Sequence, residues 1–137
     1  SNNLSGSAGR DYLDGGAGAD TLTGGIGRDD LFGGVGNDFI TGGAGRDTIH
    51  YRSGHGQDQV SGFVLGSTGD ILSFSGITAI DVVQSGANTQ LRAGNGIEGD
   101  GGFGSGTLLI TLVNVSFTSA HISTNVDPNN SPIFQFS

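Results

Sequence analysis

Asp11, Asp20, Asp29, Asp38 and Asp47 recur every nine residues. Carboxylates on a fixed period are chemistry suited to an oxygen-seeking divalent cation. Each aspartate holds the sixth place of a nine-residue unit: GSAGRDYLD, GGAGADTLT, GGIGRDDLF, GGVGNDFIT and GGAGRDTIH, over residues 6–50. Glycine opens every unit (Gly6, Gly15, Gly24, Gly33, Gly42) and recurs at its fourth place (Gly9, Gly18, Gly27, Gly36, Gly45). An aliphatic residue follows each aspartate by two: Leu13, Leu22, Leu31, Ile40 and Ile49. Ser7 is the one lapse, standing where the other units carry a second glycine. A displaced sixth unit, residues 53–61, supplies Asp58 eleven residues after Asp47, so two residues are inserted near Tyr51 and Arg52. Upstream, Leu4 lies nine before Leu13, with Asn2 where an aspartate would stand. The array continues upstream or frays there.

The spacing dictates the elements that must hold these carboxylates. A glycine-rich stretch turns sharply, because glycine accepts positive φ and close backbone approach. The three residues after it place one side chain inward between two outward ones, a minimal strand. Turn-plus-strand units stack into a coil of two units per rung, with turns on alternating sides. The fold class expected is therefore all-β: a parallel β-roll followed by a β-rich capping segment. Asp11, Asp29 and Asp47 then form one column and Asp20 and Asp38 the other, joined by Asp58 if the insertion bulges outward. Rungs lie about 4.8 Å apart, so stacked carboxylates repel unless a cation lies between them. Calcium accepts six to eight oxygens in flexible geometry, whereas magnesium demands an octahedron and keeps its waters. Zinc is poorly served by an all-oxygen set.

Composition narrows the classes. Of 137 residues, 28 are glycine and only 34% are apolar, too little for a large conventional core. Cysteine is absent, which removes disulfides and thiolate chemistry. A net charge of −8 with no lysine argues against nucleic-acid binding. No apolar run approaches a membrane span. Ser1 opens no signal-peptide pattern, so the chain reads as a fragment of a longer protein, monomeric on its own.

The repeat G-G-x-G-x-D-x-U-x resembles the calcium-binding nonapeptide of the RTX (repeats-in-toxin, haemolysin-type) family. The resemblance implies calcium, several ions, held by the aspartates, with turn-glycine carbonyls as neutral ligands. It also implies export through type I secretion machinery with an uncleaved C-terminal signal. That places the protein outside the cell or at the surface of a Gram-negative type bacterium. Asp58 matches less securely because of the insertion. The stretch after the repeats is similar, more loosely, to the region following them in type I secreted proteins, on Gly69-Asp70-Ile71-Leu72 and Thr111 to Ile122.

The expected division is a roll over 1–61, a cap over 62–125 and a tail over 126–137 that contributes to a secretion signal or docks as a strand. Candidate cap strands are 62–65, 71–74, 80–84, 89–92 and 108–115. Glycine density makes 93–106 a loop, where Glu98 and Asp100 stand as solvated residues or a minor cation site. Arg10, Arg28 and Arg46 recur every 18 residues along one side. They balance the aspartates or form an anionic-ligand face. His50, His55 and His121 read as loop or surface residues, and no G-x-S-x-G element occurs. The function expected is a non-enzymatic module that folds on binding extracellular calcium, at the C-terminal end of a larger exported protein. The alternatives are a carbohydrate (alginate-like polysaccharide) binding module and an adhesin or surface-layer module.

Overall fold

The computed structural model describes residues 1–94, 106–129 and 132–136. Glu98 and Asp100 lie outside them. Strands alternate between two sheets. The first sheet takes β1 (Asn3–Gly9), β3 (Thr21–Gly27), β5 (Phe39–Gly45) and β7 (Asp58–Ser61). The second takes β2 (Tyr12–Asp14), β4 (Asp30–Phe32), β6 (Thr48–Arg52) and β8 (Ile71–Ser75). All of these pairings are parallel. The register is the 18-residue coil: Leu4 pairs with Leu22 and Leu22 with Ile40, while Leu13 pairs with Leu31 and Leu31 with Ile49. These aliphatics stack inward, and Leu22, Leu31 and Ile40 are fully buried.

The two sides of the coil are not equivalent. β1, β3 and β5 run seven residues into their turns and keep pairing there, as Ser7–Gly25–Gly43. β2 and β4 stop after three residues, and the turns on that side share an isolated Ala17–Val35 bridge. Backbone packs on backbone throughout. A Cβ on Gly27 would lie 1.6 Å from the Gly9 carbonyl oxygen, and φ there is +150°. Only glycine meets both conditions.

The inserted pair does not bulge. Tyr51 and Arg52 lengthen β6 and pair with Phe74 and Ser75 of β8. Tyr51 turns inward and its hydroxyl donates to the Gly56 carbonyl at 2.6 Å, tying down the turn that follows.

Beyond the coil, β9 (Ala79–Ser85), β10 (Asn88–Ala93) and β11 (Leu108–Val113) form an antiparallel group, and β11 joins β7 in parallel. β12 (Ile133–Phe136) docks in parallel on β9. Among the described residues this gives an eight-stranded sheet, β1-β3-β5-β7-β11-β10-β9-β12, facing a four-stranded sheet, β2-β4-β6-β8. Inward residues of both form one core, which gains aromatic bulk at the C-terminal end from Phe74, Phe117 and Phe134. Ser119–His121 makes a 3-10 turn running into α1 (Ile122–Asn125). Residues 62–65, expected as a strand, form a loop instead. Asp70 donates its backbone N–H to the Val64 carbonyl, and Asp70 Oδ2 accepts from Val64 N–H, each at 2.8 Å.

Candidate metal centre in the carboxylate columns

The coil register puts each repeat aspartate above its counterpart one rung away. The stacking is fixed by hydrogen bonds as well as by strand pairing. The backbone N–H of Asp11 donates to Asp29 Oδ1 at 2.8 Å, that of Asp29 to Asp47 Oδ1 at 2.9 Å, and that of Asp47 to Asp70 Oδ1 at 3.0 Å. In the other column Asp20 donates to Asp38 Oδ1 at 2.8 Å and Asp38 to Asp58 Oδ1 at 3.0 Å. The Asn2 N–H donates to Asp20 Oδ1 at the open end. One oxygen of Asp20, Asp29, Asp38, Asp47, Asp58 and Asp70 is thus spent on the neighbouring rung.

The other oxygen is not. Oδ2 of Asp11, Asp20, Asp29, Asp38 and Asp47 is buried and accepts no hydrogen bond. A buried, unpartnered carboxylate oxygen is strongly unfavourable unless something cationic supplies the missing interaction. The first glycine of each unit borders this oxygen. A Cβ on Gly6 would lie 2.4 Å from both Asp11 Oδ2 and the Gly24 carbonyl oxygen. On Gly24 it would lie 2.4 Å from Asp29 Oδ2 and 2.5 Å from the Gly42 carbonyl oxygen. The same cradle forms at Gly15, with Asp20 Oδ2 and the Gly33 carbonyl oxygen. Gly33 and Gly42 lie equally close to Asp38 Oδ2 and Asp47 Oδ2. Carboxylate and carbonyl oxygens therefore gather where a side chain is forbidden.

Electrostatics point the same way. Burial, with the Asp20 charge beside it, raises the Asp38 carboxyl above its ordinary range. Burial and the Asp29 charge do the same for Asp47. Asp58, pressed by burial and by Asp38, is pushed up to about 7. Among the described residues no three acidic or histidine side chains converge on one point. A cation between rungs therefore takes at most two carboxylates and completes its shell from turn carbonyls, a donor set that suits a hard cation of flexible coordination.

Asp70 was not foreseen as part of a column. It follows Asp47 by 23 residues, with Thr68 where a repeat would carry glycine. The Asp70-Ile71-Leu72 triplet was the available signal, since it repeats the aspartate–x–aliphatic spacing. Its chemistry differs from that of the other members, because Val64 N–H occupies its second oxygen. Buried Asn125 completes this end of the roll. Its Oδ1 accepts from Gly66 N–H at 2.9 Å, and its Nδ2 donates to the Asp70 carbonyl at 2.7 Å.

Arg10, Arg28 and Arg46 line one groove with Asp29, Asp30 and Thr48. Arg10 pairs with Asp30 at 2.9 Å, and His50 Nε2 also reaches Asp30, at 3.1 Å. Burial pushes the Asp30 carboxyl upward, but the Arg10 and His50 hydrogen bonds outweigh it and hold it below its ordinary range. The groove wall carries both signs of charge. His121 Nδ1 accepts from Thr118 N–H at 2.9 Å, a local turn contact.

Fold and columns together define a class: a parallel β-roll whose turns are lined by stacked carboxylates. Residues 1–31 and 23–58 match the family of RTX calcium-binding nonapeptide repeats, in four copies. Over residues 1–58 the array is thus similar to the RTX calcium-binding repeats. Among solved structures, the extracellular lipase LipA from Serratia marcescens is similar at 27% identity and a TM-score of 0.56, covering 88% of this chain. This chain spans 20% of the lipase. The AlgE6R3 subunit of the Azotobacter vinelandii mannuronan C5-epimerase aligns at 24% identity and a TM-score of 0.35, over 92% of this chain and 82% of the subunit. No curated protein matches the chain.

Proposed function

We propose that calcium drives the folding of residues 1–61, and that the chain serves as the C-terminal folding and secretion module of a larger exported protein. The observation that carries this reading is the set of five buried carboxylate oxygens without a hydrogen-bond partner. Calcium sits between rungs at Asp11/Asp29, Asp20/Asp38, Asp29/Asp47 and Asp38/Asp58. Carbonyls of the glycine turns opened by Gly6, Gly15, Gly24, Gly33 and Gly42 supply the neutral oxygens. Without the ion, stacked like charge and the backbone entropy of glycine oppose folding, and the thin aliphatic core does not offset them. Ion binding and folding are then one event.

A chain that stays unfolded where calcium is scarce can pass a type I export channel and fold outside the cell. Residues 62–125 act as a cap that covers the last rung, and 126–137 form the tail presented to the secretion machinery. The module is non-catalytic. Among the described residues no helix is long and apolar enough to cross a membrane.

The test is far-UV circular dichroism of EGTA-stripped protein during a calcium titration, with magnesium as control. A cooperative gain of β-signal with calcium alone is expected. A spectrum already folded in EGTA and indifferent to calcium overturns the reading.

A further inference from the structure

The row of arginines along the coil is balanced at one end only. Gly9, Gly27 and Gly45 pair rung on rung. The residues that follow them, Arg10, Arg28 and Arg46, therefore recur at the rung spacing of about 4.8 Å. They line a groove of about 310 Å³ that also takes in Asp30, Thr48 and Ile71, which pair with one another across β4, β6 and β8. Arg10 reaches Asp30 on the next rung. Register puts Thr48 and Ile71 where Arg28 and Arg46 would find the same partner, and neither carries a charge.

Both oxygens of Asp30 are already engaged, Oδ2 by Arg10 and Oδ1 by His50. Among the described residues Arg28 and Arg46 have neither an ion pair nor a side-chain hydrogen bond. Asp29, the other acid at the groove, is buried in the carboxylate column, where its Oδ1 accepts from the Asp11 N–H. Under the proposed function its charge is met by the ions of that column.

Two unpaired guanidiniums on neighbouring rungs repel each other, and each carries a fork of N–H donors. A planar carboxylate fills one such fork. A phosphate monoester carries nearly two negative charges at neutral pH and three acceptor oxygens. It can take donors from both arginines and from the Thr48 hydroxyl at once. We infer that Arg28, Arg46 and Thr48 bind the phosphate of a monoester, supplied by a soluble ester or by a lipid headgroup. The two roles open to the arginine row then fall to different members: charge balance to Arg10, an anion site to Arg28 and Arg46.

The experiment is an NMR titration of the ¹⁵N-labelled, calcium-loaded chain with methyl phosphate at buffered free calcium. Acetate serves as the planar, singly charged probe. Expected are shift changes centred on residues 27–29 and 45–48. Arg28→Ala and Arg46→Ala should each weaken binding by at least about tenfold, the loss of one charge-assisted pair. Arg52→Ala, which removes an exposed arginine outside this groove, should leave binding unchanged. Sedimentation with phosphatidylcholine vesicles, with and without phosphatidic acid, separates the two sources. Retention that needs phosphatidic acid and is lost in Arg28→Ala assigns the phosphate to a lipid headgroup; binding of methyl phosphate without such retention assigns it to a soluble ester. An unchanged calcium titration by circular dichroism verifies that each variant folds, and a failure of that titration in the unaltered chain counts against the proposed function, not against the groove. The inference is overturned by no binding of methyl phosphate, by equal binding of acetate, or by binding that Arg52→Ala abolishes and Arg28→Ala does not.

Discussion

Asp47 and Asp70 are consecutive members of one column, and they differ in what completes them. Asp47 leaves a buried oxygen without a partner. Asp70 fills the same position from the protein itself, through Val64 N–H, in a loop that Asn125 holds from 55 residues away in sequence. The roll above this rung therefore has unmet electrostatic demand, while the cap below it is closed by hydrogen bonds and by aromatic packing around Phe74, Phe117 and Phe134. Under the proposed function, the demand for an ion ends where a backbone donor reaches the second carboxylate oxygen.

The strongest way to break this contrast is to remove the ion. In EGTA, amides of β1 to β6 should exchange at rates close to those of an unfolded chain, while those of β9 to β11 keep measurable protection. Hydrogen exchange resolved by peptide reads both in one experiment. Uniform protection, or uniform loss, would abolish the division between an ion-dependent roll and a self-sufficient cap.

Single substitutions sharpen it. Asp38→Asn removes a charge shared by two inter-rung sites, so it should lower the number of ions bound in a calcium titration followed by calorimetry. Asp70→Asn sets an amide donor against a backbone donor. Leaving such a buried group unsatisfied costs about 1–3 kcal/mol, so the melting temperature should fall while the ion count stays that of the unaltered chain. Asn125→Ala should behave like Asp70→Asn. Equal loss of ions in Asp38→Asn and Asp70→Asn would mean that Asp70 is a ligand after all.

Acid should substitute in part for calcium. In the metal-free roll the Asp58 carboxyl is raised to about 7, and those of Asp38 and Asp47 are raised as well, each chiefly by burial. Unfolded aspartate titrates near 3.9. The folded state therefore binds protons more tightly than the unfolded one. The resulting stabilisation is complete below about 3.9 and is lost as pH rises through about 7. In EGTA, β-signal should increase as pH falls from 8 to 5, and the calcium requirement at pH 8 should be the greatest. A β-signal that falls on acidification in EGTA would contradict the raised carboxyls.

The columns were legible in the sequence because period fixes register: residues 18 apart must stack once the coil is accepted, and Asp11, Asp29 and Asp47 do. What lies past the array was legible only in part. Asp58 joins the Asp20 and Asp38 column as expected, but not through a bulge: Tyr51 and Arg52 extend a strand, which no local pattern shows, and Asp70, 23 residues after Asp47, was not anticipated. The Asn125 contacts to Val64, Gly66 and Asp70 join segments with no sequence relation. The outward rings of Tyr12, Phe32 and His50 were legible only in part: Phe32 and His50 share the ninth place of their units and stack in register, whereas Tyr12 sits at the seventh place of its unit and meets Phe32 diagonally.

The smallest effect concerns the one lapse in the repeat. Ser7 adopts φ +98°, a left-handed conformation that its glycine counterparts take freely. Ser7→Gly relieves that strain but adds freedom to the unfolded chain, so the net gain should be below about 1 kcal/mol. The same exchange in reverse one rung further on should be far more damaging. A Cβ on Gly25 would meet the Ser7 carbonyl oxygen at 2.2 Å, because there the preceding rung lies directly against the turn. Thermal melts of Ser7→Gly and Gly25→Ser in saturating calcium compare conformational strain alone with strain plus backbone collision. A Gly25→Ser protein as stable as the unaltered chain would show that the rungs do not pack backbone on backbone.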